Sequence, residues 1–196
     1  MHVVKQMGEF VEFFSGDNAI VEQQDFLKFG LNGELKHYKK GQYLIEQGLP
    51  APHIFFLTKG LVRYVSVSQE GKEFTQSFSS APGIAGSTRA MVFESSALFS
   101  IEVLDDVLCW QFDWQDFFAK MKSQTGFLEA YSRLLENMFA KKEAREYYLL
   151  QQTAEQRYLE FMHENPELKD IVPLKIIASY IGITPIALSR IRKKLK

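Results

Sequence analysis

The pattern of hydrophobic and polar positions changes several times along the chain. Between Gly8 and Gly33 the apolar residues recur at helical spacing, which predicts two short helices. From Leu35 onward they are β-branched or aromatic and come in short runs, which is typical of strands of about five residues in an antiparallel sandwich or jelly roll. The runs are punctuated by Gly41, Gly48, Gly60 and Gly71.

Within this β-rich region the stretch VRYVSVSQEGKEFTQSF alternates on both sides of Glu70-Gly71, which predicts a β-hairpin with its turn there. A short helix is predicted near Ser87 to Phe93, followed by further strand in LFSIEVLDDVLCWQF. Asp113 and Asp116 then bracket a helix start at DWQDFFAKM, because carboxylates favour the positive end of a helix.

The stretch from Gly126 to Gln152 predicts one long helix, since it has no internal Gly or Pro. Its apolar residues fit an a/d heptad that Lys142 and Arg145 interrupt. One interpretation is a two-fold helix pair between subunits, and the other is packing of the stripe on the chain's own β domain. The stripe is formed by Leu128, Tyr131, Leu135 and Met138, and Leu149 continues it.

A new helical domain is predicted after this helix. Thr153 and Gln156 have the spacing of a capping box, and Pro166 ends the helix that they begin. The predicted organisation is α+β: a β jelly roll over residues 1–125, a dimerisation helix over 126–152 and a helical domain over 153–196.

The closing segment LKIIASYIGITPIALSRIRKKLK predicts two short helices that cross at a tight turn. Gly182 is suited to the left-handed conformation that ends a helix, while Thr184 and Pro185 form a favourable helix start. Together with the small Ala178, this spacing is that of a DNA-binding helix-turn-helix. The residues expected to face inward are Leu174, Ile177, Ile181, Leu188 and Ile191, with Ile183 at the corner.

Charge supports a polyanionic partner for this segment. The last 26 residues carry six Lys or Arg and no Asp or Glu, so the other 170 residues carry a net charge of −7 although the whole chain carries −1. Ser189, Arg190, Lys193 and Lys194 are expected on the exposed face, where they can contact bases and phosphates. A solubilising tail, or a helical hairpin that binds no DNA, is the alternative.

Composition narrows the class of protein. Hydrophobic residues make up 46 % of the chain, enough for a substantial core, and the one cysteine, Cys109, cannot form an intramolecular disulfide. Lys5, Gln6 and Glu9 interrupt the apolar N-terminus, so neither a signal peptide nor a membrane span is predicted. We expect a cytoplasmic protein.

The order of these parts resembles the Crp/Fnr family of bacterial transcription regulators. The matching stretches are YKKGQYLIEQG, IFFLTKGLVRYVSVSQEGKEFTQSF, FSIEVLDD and the segment from TAEQRYLEFM to SRIRKKL, the last being similar to a branch common in Bacteroidetes-type bacteria. The resemblance implies a homodimer on double-stranded DNA, with two recognition helices in successive major grooves. It also implies RNA polymerase as a further partner and a small-molecule effector, of unknown identity, that shifts a two-state equilibrium.

The sequence departs from the members of this family that bind cyclic AMP. Those carry a Gly-Glu-Leu element for the ribose and an Arg followed by Ser or Thr for the cyclic phosphate. Here the first region reads PGIAGSTRAM, without the Glu, and Ala97, Leu98 and Phe99 lie where the Arg is expected. We therefore expect no cyclic AMP response and no cofactor; an iron-sulfur cluster is excluded by the single cysteine.

The segment GSTRA is a candidate site for a different anion, because free amides at a helix start and a guanidinium lie close together in sequence there. The residues are Gly86, Ser87, Thr88 and Arg89. The favoured alternative is that Ser87 only caps the helix and Arg89 is solvated.

The recognition helix also departs from relatives that bind G·C pairs through Arg and Glu in its first turn, since this chain has Pro185 and Ile186 there. Arg190 matches a base-contacting Arg of the family, and Ile186 is placed to touch a thymine methyl or to pack. We expect the wing that often follows to be absent or reduced. The candidate DNA-contacting residues are Thr184, Ile186, Ser189, Arg190, Lys193 and Lys194.

Two other functions compete with DNA binding. A metal-dependent cupin enzyme needs converging His ligands, usually beginning with a His-x-His pair, whereas His2, His37, His53 and His163 are scattered. We therefore expect no metal and no enzymatic activity. The second alternative is a dimeric ligand sensor whose terminal domain contacts a protein partner, which would show little of the salt dependence of phosphate binding.

Overall fold

The computed structural model describes residues 29–195, and within them a β-rich region precedes a series of helices. The predicted mixed fold with an antiparallel sheet is confirmed. The two short helices predicted between Gly8 and Gly33 lie outside the described residues, apart from 29–33, which are not helical. The strands are β1 (Glu34–Tyr38), β2 (Tyr43–Ile45), β3 (His53–Val67), β4 (Glu73–Ser80), β5 (Gly83–Ala85) and β6 (Ser100–Asp113). The helices are α1 (Thr88–Phe93), α2 (Trp114–Met121), α3 (Phe127–Gln151), α4 (Ala154–Glu164), α5 (Leu174–Ile181) and α6 (Pro185–Lys194), with a 3-10 turn at Pro166–Lys169.

The strands form one sheet in the hydrogen-bonded order β1-β6-β3-β4, with β2 on β6 and β5 on β3. β6 pairs antiparallel with β1 through its C-terminal half, where Tyr38 lies opposite Val107, and with β2 near its start, where Ile45 lies opposite Ile101. β5 pairs antiparallel with β3, so that Ala85 lies opposite Phe55. One long strand, β6, therefore connects both short N-terminal strands to the rest of the sheet.

The predicted strand length of about five residues is wrong for the two longest strands, β3 with 15 residues and β6 with 14. Gly60, expected to separate two strands, lies inside β3 at φ +96°. A Cβ added there would meet the carbonyl oxygen of Asp106 at 2.5 Å. Glycine thus permits a close approach of two backbones within a continuous strand, and it does not end the strand.

The chain forms two compact units, and the first contains described residues 29–64 and Phe78–Asn137. Its sheet has apolar side chains on both faces, and they form two clusters. One cluster brings aromatic residues of β3, β6, α2 and the start of α3 together, with Phe117 and Phe127 fully buried. The other contains Phe55, Leu57 and Ile101, with Tyr64 and Phe99 packed against it. The β region thus carries a large core of its own.

The second unit contains Val65–Ser77, which we call the hairpin tip, together with residues 138–195. Its division from the first unit falls inside α3, whereas the predicted segments 1–125, 126–152 and 153–196 follow sequence order. The predicted hairpin is present, with Gly71 in its turn.

The predicted helix starts agree closely with the structure. Ser87 caps α1, Asp113 caps α2, and Thr153 forms the capping box of α4 with Gln156. Over residues 29–195 no single helix is long and apolar enough to span a membrane. Only α5 and α6 taken together reach that length and apolar composition, and the two helices are bent by 96° relative to each other.

Candidate nucleic-acid interface

The turn between α5 and α6 has the geometry predicted from its sequence. Gly182 adopts φ 77° and ends α5. The N–H of Ile183 donates to the carbonyl oxygen of Ala178 at 2.9 Å, and the N–H of Gly182 donates to that of Ser179 at 3.3 Å. These two bonds define a Schellman motif, which satisfies two of the carbonyls at the end of α5.

The second helix starts as predicted. The Thr184 hydroxyl accepts from the N–H of Ala187 at 3.2 Å, and Pro185 is the first helical residue. Leu188 is fully buried, as are Ile177, Ala178 and Ile181 of α5. The prediction for Leu174 is wrong: it is 41 % exposed, because it is the first residue of α5 and lies beyond the turn that carries the buried side chains.

Two arginines satisfy the last two carbonyls of α5. Arg145 of α3 donates to the carbonyl oxygen of Tyr180 at 2.8 Å, and Arg157 of α4 donates to that of Ile181 at 2.8 Å. A cation at a helix C-terminus is also favoured by the helix dipole. All four terminal carbonyls of α5 therefore have donors, and two preceding helices hold the turn.

Arg145 is enclosed more than a surface arginine would be. Its guanidinium lies 4.0 Å from the centre of the Tyr180 ring, and burial lowers its pKa. In the sequence Arg145 interrupts the apolar heptad of α3. That interruption is the one feature of the sequence that points to the structural role of Arg145. A charged residue within an apolar stripe needs a specific partner if it is not fully solvated.

The exposed face of α6 presents the predicted DNA-contacting residues. Ile186 is 68 % exposed, and Ser189, Arg190 and Lys193 are exposed at the spacing of one helix face. In the described part of the chain Arg190 and Lys193 form no hydrogen bond or ion pair. Thr184 is exposed too, although its hydroxyl is used as the helix cap.

Lys194 differs from its neighbours because its ammonium group is paired within the chain. Its Nζ lies 2.7 Å from a carboxylate oxygen of Glu155 at the start of α4. A phosphate that binds Lys194 must compete with this carboxylate. The structure thus brings Ile186, Ser189, Arg190 and Lys193 together as one surface and sets Lys194 apart.

We expect Glu155→Gln to raise the affinity for duplexes of any sequence by up to about fivefold, since an exposed ion pair contributes about 0.2–1 kcal/mol. The released Lys194 can then neutralise a phosphate, so the salt dependence of binding should also steepen. Titration of a mixed-sequence duplex at several salt concentrations measures both effects. Glu129→Gln is the matched control, because it breaks the exposed Glu129–Arg133 pair of α3; equal behaviour of the two variants would contradict the competition.

The residues of the candidate anion site are engaged with their own chain. Ser87 is buried and caps α1, and Arg89 donates to the Ser95 hydroxyl at 2.9 Å and to the Ser96 carbonyl at 3.2 Å. The N–H of Gly86 donates to the Tyr64 phenol oxygen, and burial raises the pKa of Tyr64 to about 12. Thr88 is exposed at the first position of α1. The capping by Ser87 agrees with the alternative interpretation, whereas the expectation that Arg89 is only solvated is wrong, because its guanidinium donates to Ser95 and Ser96.

The stripe on α3 divides into packed and exposed members. Tyr131 stacks on Phe127 with ring centroids 6.0 Å apart and packs against Trp114 and Phe118 of its own chain. Leu128 is 50 % exposed, Met138 is 39 % exposed and Leu135 is half-buried. Phe139, which the heptad did not include, is 70 % exposed beside them.

The described residues include no group of three His, Cys, Asp or Glu side chains that could hold a metal ion. Cys109 is buried in the sheet, and burial raises the pKa of its thiol to about 12, so the thiolate form is strongly disfavoured.

One region of the chain matches a known domain family. Residues 35–124 match the family model of the cyclic nucleotide-binding domain. No curated protein sequence matches the chain significantly.

Several solved structures match most of the chain. FixK2 from Bradyrhizobium japonicum aligns with 84 % of this chain and 85 % of its own at 16 % identity and a TM-score of 0.73. The regulator CLP from Xanthomonas campestris aligns with 98 % and 91 % at 11 % identity and a TM-score of 0.72. A Crp/Fnr-family regulator from Eubacterium rectale aligns with 93 % and 87 % at 16 % identity and a TM-score of 0.70. The chain thus has the fold of the Crp/Fnr-family regulators.

Proposed function

We propose that this chain is a homodimeric, cytoplasmic transcription regulator of the Crp/Fnr type that binds double-stranded DNA in a sequence-specific manner. The observation that carries the proposal is the exposed face of α6. Within residues 29–195 Arg190 and Lys193 form no hydrogen bond or ion pair, and they lie beside Ile186 on a helix that Thr184 caps and that follows a hydrogen-bonded turn. A basic helix held rigidly by its neighbours is suited to the major groove.

The proposed contacts have distinct roles. Arg190, with several donors in a planar group, is suited to bidentate contact with guanine, and Ile186 offers an apolar surface to a thymine methyl. Ser189 and Lys193 are suited to phosphates, which fix the register of the protein on the duplex. The C-terminal segment after residue 170 contains no carboxylate side chain that would repel the DNA.

Salt dependence distinguishes this function from binding of a protein partner. A labelled mixed-sequence duplex is titrated with the full chain at several salt concentrations. For DNA binding, log K should fall linearly with log salt, with a slope of about −0.9 for each phosphate neutralised. Absence of duplex binding at low salt would contradict the proposal and favour the protein-partner alternative.

We also propose that the β domain does not respond to cyclic AMP. The position expected of the phosphate-binding Arg lies in the segment that contains Phe99, and its ring packs against Tyr64 with centroids 5.4 Å apart. Arg63, a buried arginine of this unit, is already paired with Glu102, the two charged groups being 2.5 Å apart. Neither the segment of Phe99 nor the paired Arg63 therefore offers a guanidinium to a cyclic phosphate.

Accordingly, cyclic AMP is expected to leave the melting temperature unchanged. A ligand present at about 100 times its Kd stabilises the native state by about 2.7 kcal/mol, which a thermal melt would detect easily. 5′-AMP is the matched control for weak nucleotide effects. A rise in Tm with cyclic AMP alone would show that the pocket accepts the cyclic phosphate without the expected Arg.

A further inference from the structure

The hairpin tip is bonded to the first helix of the helix-turn-helix. The N–H of Thr75 donates to the Ser179 hydroxyl at 2.9 Å, and that hydroxyl donates to the carbonyl oxygen of Glu73 at 3.0 Å. One serine side chain therefore binds two backbone groups of β4, much as a neighbouring strand would. Thr75 is only 2 % exposed, which shields its N–H from water.

Arg145 adds a second connection at the same place. Its Nη2 donates both to the Thr75 carbonyl oxygen at 3.0 Å and to the Tyr180 carbonyl oxygen at 2.8 Å. One partly buried guanidinium thus joins α3, the hairpin tip and the end of α5. Hydrogen bonds to a charged donor in a shielded site are stronger than those between neutral groups.

The hairpin tip does not cover the exposed face of α6. Ile186, Ser189 and Arg190 are exposed while the hairpin tip is bound to α5, so the contact does not act by covering the residues that would meet DNA. Its effect is instead a restriction on how α5 moves against α3. Restricting a binding element before it binds lowers the entropy lost on binding.

We infer that the hairpin tip is a positioning element of the DNA-binding unit, and that Ser179 and Arg145 hold it on α5. The inference rests on the proposed DNA binding. β3 and β4 run on from the hairpin tip into the sheet of the first unit, so the hairpin tip is continuous in sequence with that sheet. The elements that DNA recognition requires then include a segment more than 100 residues earlier in the chain.

Ser179→Ala in the full chain tests this role. Alanine is a better helix former than serine, so the change does not weaken α5 itself. Thr58→Val is the matched control, since it removes a hydroxyl bond, to the Leu108 carbonyl oxygen, inside the first unit. Amide hydrogen exchange at Thr75 reports docking, and titration of a duplex selected by the wild-type chain reports DNA binding.

Ser179→Ala is expected to speed exchange at Thr75 by about tenfold or more and to weaken DNA binding by about tenfold, within the usual range of coupling between sites. Thr58→Val should change neither quantity. Unchanged exchange at Thr75 would overturn the docking, and faster exchange with unchanged affinity would overturn the positioning role. If the wild-type chain selects no duplex, the proposed function is wrong and the positioning role with it, whereas the exchange data still decide the docking.

A second pair of variants separates docking from support of the turn. Arg145→Gln removes the bonds to the hairpin tip and to Tyr180, whereas Arg157→Gln removes the bonds to Ile181 and Gln152 and leaves the hairpin tip bonded. Only Arg145→Gln should accelerate exchange at Thr75. Equal acceleration in both would show that the hairpin tip responds to general loosening of the helices, and this would overturn the inference.

Discussion

Replacing Leu135 and Met138 together by lysine is expected to convert the proposed dimer into monomers and to weaken binding to a two-fold symmetric duplex by about 100-fold or more. In a parallel helix pair four ammonium groups would face one another across the axis, where their desolvation and repulsion oppose association. A monomer also loses the avidity that comes from binding two half-sites at once. Sedimentation velocity measures the mass, and a titration with the symmetric duplex measures the affinity.

The matched control places two lysines on the same helix at the same spacing but away from the stripe. Asn137 and Ala140 are exposed and lie on the opposite side of α3, so Asn137→Lys with Ala140→Lys adds the same charge without touching the stripe. The control should remain dimeric. A Leu135/Met138 variant that still sediments as a dimer would show that the subunits meet elsewhere.

Arg190→Ala is expected to lower specific affinity by about 1–3 kcal/mol and to remove the preference at one base pair in each half-site. The reason is that Arg190 is exposed, has no hydrogen bond or ion pair within the described residues, and lies one helical turn after Ile186 on the same face. Binding measured against single-base variants of the selected site gives the preference at every position.

Lys193→Ala is the comparison for this prediction. It should weaken binding nearly equally for all sequences and make the salt dependence shallower by about one phosphate, because a lysine on the backbone carries no base information. If Arg190→Ala behaves like Lys193→Ala, with unchanged sequence preference, Arg190 contacts phosphate and another residue selects the base.

The features that sequence predicts well are those whose causes are local. The left-handed Gly182, the Thr184 cap with Pro185 and the Thr153 capping box each depend on residues within one turn, and the structure confirms all of them. The same local reasoning predicted that Leu174 faces inward, which is wrong. Periodicity shows which face of a helix is apolar, but it does not show how far the partner helix extends along that face.

Features that depend on distant parts of the chain were not predictable. The Ser179 bonds join residues more than 100 positions apart, and nothing in the local pattern distinguishes this serine from a solvated one. Gly60 illustrates the same limit: its close approach to the Asp106 carbonyl oxygen comes from the pairing of two long strands, while the sequence shows only a glycine. Tyr131 fitted the heptad but packs within its own chain, since three aromatic rings of the first unit surround it.

A selection of the full chain against random duplex DNA, without added ligand and at two salt concentrations, tests the central claim most directly. The account predicts enrichment of a two-fold symmetric sequence whose half-sites lie about one helical turn apart, as two recognition helices in successive major grooves require. Recovery of random sequences that bind only at low salt would contradict sequence-specific recognition by α6.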